Sequence, residues 1–130
     1  ALDLVVVNPG VPVATPAAYA AFDRLLPATV PDVGVVIEAI ASNDAARVAA
    51  ALFNGLSGPA QVVAPGISDI LHHVSRSEGV LGAMVSGSGS CVVGICENAT
   101  TAGIVAAAAA DNGWWSAVTS AAPGGITDIT

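Results

Sequence analysis

The sequence predicts an α+β fold, helices packed on one face of an antiparallel sheet in the order β-α-β-β-α-β, with extra helices after the first strand. Three observations carry it. An apolar run, Leu2 to Val7, stops abruptly at Asn8-Pro9-Gly10, as a buried strand stops at a turn. Two further strand-like runs, "AMVS" and "CVVGIC", stand back to back around glycines and serines. The segments before and after that pair carry helical spacing and helix boundaries instead. At 130 residues the chain is one domain long, enough to bury a core.

Taken in order, the first strand is followed by "ATPAAYAAFDRLL", a helix with Thr15 as N-cap and Pro16 at the first helical position. Tyr19, Phe22 and Leu26 recur in it at helical spacing, and the two prolines of "PATVPDVG" end it. Two helical pieces follow, around Val35 to Ala41 and Asp44 to Phe53, the second with Val48 and Leu52 on one face. "NGLSGPA" reads as a loop. In "ISDILHHVSRSE" the residues Ile67, Ile70, Leu71 and Val74 make the stripe of an amphipathic helix. After the two strands, "ENATTAGIVAAAAADNG" is a helix starting near Asn98 or Thr100 and closing at Asn112-Gly113. "WWSAVTSA" is the last strand and "APGGITDIT" a tail. With the extra helices set aside, this split βαβ order is the ferredoxin-like sandwich.

Composition excludes several functions. The chain has ten acids, three arginines (Arg24, Arg47, Arg76) and no lysine, for a net charge of −7. Nucleic acids and anionic membrane surfaces need a basic patch, which three scattered arginines cannot form. Over half the residues are apolar, yet no run approaches the roughly 20 needed to span a membrane. Cys91 and Cys96, five apart in a strand-like run, fall on opposite faces and fit no zinc spacing. Both are expected to be buried, reduced thiols of a cytoplasmic protein. The chain enters a strand at its second residue, so it is expected to be cut from a longer polypeptide.

The candidate for chemistry is "GAMVSGSGSCVVGIC", residues 82–96. A phosphate-binding loop of the Walker type needs a lysine after its last glycine, and Ser88 stands there. A dinucleotide fingerprint needs a third glycine where Val92 stands, and a helix where a strand follows. Two readings remain for Ser86, Gly87, Ser88, Gly89 and Ser90: a backbone concavity for an anion, or a hairpin that needs positive φ and binds nothing. Thr15 and Tyr19 are a helix cap and a core aromatic, or an aromatic beside a helix start that stacks on a flat ligand. His72 and His73 are adjacent, diverge on a helix and cannot chelate one metal together; Asp69 is near enough to His73 for a surface pair. Trp114 and Trp115 open a strand, one expected to face the core and the other an edge or a domain interface. No acid/base pair or nucleophile stands out, so no residue is assigned as catalytic or metal-binding.

Three stretches together, "LVVVNPGVPVATPAAYAAFD" (4–23), "ALFNGLSGPA" (51–60) and "GAMVSGSGSCVVGIC" (82–96), resemble the C-terminal domain of the GHMP superfamily of small-molecule kinases. The glycine-serine loop resembles the superfamily's last conserved motif. The "NPGVPVATPAAY" stretch resembles the branch acting on a cytidine diphosphate-linked methylerythritol, in non-mevalonate isoprenoid biosynthesis. Where that branch usually shows N-D-L-E, this chain has Asn54-Gly55-Leu56-Ser57.

The resemblance implies that residues 1–130 are a single ferredoxin-like C-terminal domain whose N-terminal nucleotide-binding domain lies outside the chain. It implies a substrate-binding set of Thr15, Tyr19 (stacking on cytosine) and Ser86, Gly87, Ser88, Gly89 and Ser90 near the phosphates. ATP and Mg2+ are implied for the complete enzyme, and neither is expected to be bound by this domain alone, which is expected to be inactive. Loss of the partner domain would expose apolar surface, so a homodimer is one arrangement to expect. The competing readings are a stand-alone ferredoxin-like module for ligand binding or oligomerisation, and the same domain of a homoserine- or mevalonate-type kinase.

Overall fold

The computed structural model describes residues 2–25 and 31–121. Leu26, part of the proline-rich break after it, and the tail from residue 122 lie outside the described residues. The elements are β1 (Asp3–Asn8), α1 (Thr15–Arg24), α2 (Val33–Ala41), α3 (Ala45–Ala50), α4 (Ser57–Val63), α5 (Gly66–Arg76), β2 (Val80–Val85), β3 (Val92–Cys96), α6 (Ala99–Asp111) and β4 (Trp115–Ser120). The four strands form one antiparallel sheet in the order β2-β3-β1-β4. That is the ferredoxin-like topology: β1 sits centrally, with Val7 opposite Val92 of β3 and Ser116 of β4.

Alternation along β1 divides the core. Val5 and Val7 point to one face, where α5 contributes Ile67, Ile70 and Val74 and α6 contributes Ala102, Val105 and Ala109. The alanines of α6 let it lie close, and Gly94 does the same for α5: a Cβ there would stand 2.8 Å from Val74 Cγ1 and 3.0 Å from Val5 Cγ1. Leu4 and Ile95 point to the opposite face. The expected one-faced helix layer is formed by α5 and α6, and the extra helices add to it on the other side. The inserted α2 and α3 cover part of the second face, packing Ala39, Val48 and Ala49 against Ile95 and Leu4. Gly82 permits this approach, since its missing Cβ would meet Ala49 Cβ at 3.0 Å.

The segment "NGLSGPA" is also not all loop, because its second half starts α4. Asn54 Oδ1 accepts from Leu56 N at 3.0 Å, turning the chain into the helix. Pro59 falls in the first turn, where its missing N–H is not needed. Gln61 Nε2 then donates back to Ser57 O at 3.0 Å. The last helix follows the sequence: Asn98 Oδ1 accepts from Thr101 N at 2.8 Å, and Gly113 is left-handed past its end.

Candidate functional site

β1, the start of α1 and the β2–β3 turn meet at one edge of the domain. Past β1, Asn8 Oδ1 accepts from Gly10 N at 2.8 Å, and Gly10 takes a left-handed φ of +76°. This turn sends Val11–Val13 across the loop toward α1. The expected N-cap is one residue off. Ala14 occupies that position without a side-chain bond, and Thr15 is the first helical residue. Thr15 Oγ1 lies instead 3.1 Å from Ser88 Oγ, a hydroxyl pair joining α1 to the loop. Tyr19 follows one turn later on the same side of α1 and is 55% exposed, so it is not a core aromatic. Ala18 and Ala21 carry the buried side of α1 instead.

Ser86 N donates to Cys91 O (2.8 Å) and Gly89 N to Ser86 O (3.0 Å), closing the loop. Gly87 and Gly89 have φ of +56° and +94°. Gly89 is seated deeply: a Cβ on it would lie 3.1 Å from Ile67 Cδ1, 3.4 Å from Ala60 Cβ and 3.5 Å from Val13 Cγ2. The N–H groups of Gly87, Ser88 and Ser90 have no acceptor among the described residues. Ser90 Oγ donates to Asn8 Oδ1 at 3.3 Å. Beside them lies an open cleft of about 380 Å³ lined by Asn8, Gly10, Val11, Pro12 and Ser90.

Of the seven expected site residues Ser90 lines this cleft, Thr15 and Ser88 touch beside it, and Tyr19 stands one turn further along α1. None of the residues lining the cleft is ionisable, so it offers hydroxyls, amides and backbone donors: groups that bind and orient a polar ligand without moving a proton. Two contributors escaped the sequence reading. Asn8 read as part of a turn, and Asn54 as part of a loop, because long-range side-chain bonds leave no local pattern.

The other motifs lie elsewhere. Asp69, His72, His73, Arg76 and Ser77 line a separate cleft of about 390 Å³ on α5. The His73 ring stands edge-on to Trp114, centroids 5.3 Å apart, and its Nε2 is buried without a partner among the described residues. Trp114 packs against the main core, while Trp115 is 59% exposed on the opposite face. Cys96 is buried as expected, but Cys91 is only half-buried, because it precedes β3 in the loop; both are free. Burial, aided by the nearby Asp3 charge, pushes the Cys96 thiol above its ordinary value.

The GHMP kinases C terminal family matches residues 36–113, spanning α2 to Gly113. The chain belongs to the GHMP kinase C-terminal domain family. Similar proteins include the 4-diphosphocytidyl-2-C-methyl-D-erythritol kinase of Streptomyces coelicolor, 39% identical over an alignment of 97 residues that covers 71% of this chain and 32% of that protein. A crystal structure of 4-(cytidine 5′-diphospho)-2C-methyl-D-erythritol kinase superposes with a TM-score of 0.71 at 28% identity, over 93% of this chain and 44% of that one. Homoserine kinase from Cytophaga hutchinsonii superposes with a TM-score of 0.66 at 20% identity over 91% of this chain and 40% of that one, a likeness of fold. This GHMP domain therefore spans about a third of the length of the curated relative it matches. No helix among the described residues is long and apolar enough to cross a membrane.

Proposed function

We propose that this domain is the substrate side of an ATP-dependent kinase that phosphorylates a hydroxyl of 4-diphosphocytidyl-2-C-methyl-D-erythritol, in the cytoplasm and within non-mevalonate isoprenoid biosynthesis. The observation that carries the reading is the Thr15–Ser88 hydroxyl contact, which joins the exposed Tyr19 side of α1 to the glycine-serine loop in one surface. Tyr19 supplies a flat apolar face for the cytosine ring. Thr15 hydrogen-bonds the same end of the ligand. The N–H groups of Gly87, Ser88 and Ser90, without an acceptor among the described residues, and the left-handed turns at Gly87 and Gly89 form a concavity suited to the diphosphate or the polyol oxygens.

Phosphoryl transfer is mostly positioning and electrostatic stabilisation, and this domain contributes the positioning. The chain contains no lysine, and Ser88 stands where a phosphate loop needs one, so its own residues do not fit the triphosphate of ATP. ATP, Mg2+ and the groups acting on the transferred phosphoryl are assigned to an N-terminal domain outside this chain. The test is ATP-dependent phosphorylation of the cytidyl substrate by the full-length polypeptide, and no turnover by residues 1–130 alone. Turnover by this chain alone would refute the division of labour. Failure of the full-length polypeptide to act on the substrate would refute the activity.

A further inference from the structure

We infer that Asn54 is the positioning residue of the Ser86–Ser90 loop; the inference rests on reading that loop as a wall of the substrate cleft. Asn54 lies between α3 and α4, half-buried, outside the cleft lining. Its Nδ2 donates twice across the fold, to Val85 O at 2.6 Å and to Gly87 O at 2.7 Å. Its Oδ1 accepts from Leu56 N at 3.0 Å. Both donors and the acceptor of one carboxamide are therefore engaged, and the bond to Leu56 fixes the side chain from which the loop hangs.

The two carbonyls held are consequential ones. Val85 ends β2 and Gly87 is the first left-handed residue of the loop, so the bonds bracket Ser86. A trans peptide is planar with its N–H opposite its C=O. Holding Val85 O aims the N–H of Ser86, which closes the loop on Cys91 O. Holding Gly87 O aims the N–H of Ser88 away from Asn54, on the residue whose hydroxyl meets Thr15. Asn54 thus sets the direction of a loop donor without touching the ligand surface. A carboxamide is suited to this task, since it offers two donors and one acceptor within a single planar group. An aspartate of the same shape would set acceptor oxygens against two carbonyl oxygens and push the loop away.

The test compares wild type with Asn54→Asp and Asn54→Ala in the full-length polypeptide, reading three quantities together: amide exchange protection at Ser86 and Gly89, affinity for cytidine 5′-diphosphate, and thermal stability. We expect protection at both amides and nucleotide affinity each to fall by about tenfold or more in Asn54→Asp, with exchange in β1 and α6 unchanged; a lost pair of hydrogen bonds can carry an effect of that size. Unchanged protection at Ser86 and Gly89 would overturn the inference. So would lost protection with unchanged affinity, and a bulky Ser88→Tyr control then separates the two ideas: if it too leaves affinity unchanged, the loop is not a cleft wall and the functional reading fails as well. Should neither variant fold, NMR couplings across the hydrogen bonds from Asn54 Nδ2 to the Val85 and Gly87 carbonyls decide the matter in wild type. Their absence would overturn the inference.

Discussion

Gly87 and Gly89 flank Ser88 and are both left-handed, yet the fold treats them differently, and Ala substitution measures how the loop is seated. At Gly87 an added Cβ meets nothing within 4 Å. The cost of Gly87→Ala is then the backbone alone, roughly 1–2 kcal/mol for a Cβ-bearing residue held left-handed. Gly89, at φ +94°, lies outside the left-handed well that Gly87 occupies at +56°, so Gly89→Ala carries at least this cost and also sets its Cβ 3.1 Å from Ile67 Cδ1, on a fully buried side chain. Overpacking of this kind adds roughly 1–3 kcal/mol. Gly89→Ala should therefore be the less stable variant by about 1–3 kcal/mol, or a melting temperature lower by roughly 4–12 °C for a domain of this size. Denaturant unfolding and calorimetry on both variants read the difference. Ile67→Val removes the Cδ1 atom in the way, so it should make Gly89→Ala cheaper than it is alone, a coupling a double-mutant cycle detects. Equal stability of the two Ala variants, or strict additivity with Ile67→Val, would refute the seating of the loop on α4 and α5.

Two further outcomes follow from the packing. Asn98→Ala removes the oxygen that accepts from Thr101 N at the start of α6 and should cost about 1 kcal/mol of unfolding free energy, measured by urea denaturation. In the native domain a thiol reagent should label Cys91 well before the buried Cys96, with both reacting once the chain is unfolded, as mass spectrometry of labelled protein will show. The raised Cys96 thiol also sets a sign: the unfolded chain loses that proton first, so stability holds below the ordinary thiol value of 9.0 and declines as pH rises through it toward the folded value. A melting temperature flat across that range would contradict the burial.

Much of the scaffold was legible because its signals are local. The i, i+3, i+4, i+7 stripe of α5, the Asn98 cap and Gly113 end of α6, and the apolar run of β1 each lie within one short stretch of chain. Where reading failed, distant partners were involved. Thr15 suits an N-cap by residue type, but its hydroxyl meets that of Ser88, 73 residues away. Glycine and proline in "NGLSGPA" argue for a loop, yet Asn54 and the placement of Pro59 start α4 there. The second face gained helices α2 and α3 through Gly82, whose lack of a side chain marks no partner in the sequence. The loop residues themselves were identifiable by composition. Their contacts with Asn8, Thr15 and Asn54 were not, since each closes a long stretch of chain.

The most direct test is a titration of the full-length polypeptide with cytidine 5′-diphosphate, with fluorotyrosine at position 19 and the backbone amides of residues 86–90 observed by NMR. Saturable shifts at Tyr19 and at the loop amides, and none at His72 or His73 in the separate cleft on α5, are the predicted result. An unmoved Tyr19 signal at saturating nucleotide would contradict the assignment of this surface to the cytidyl substrate.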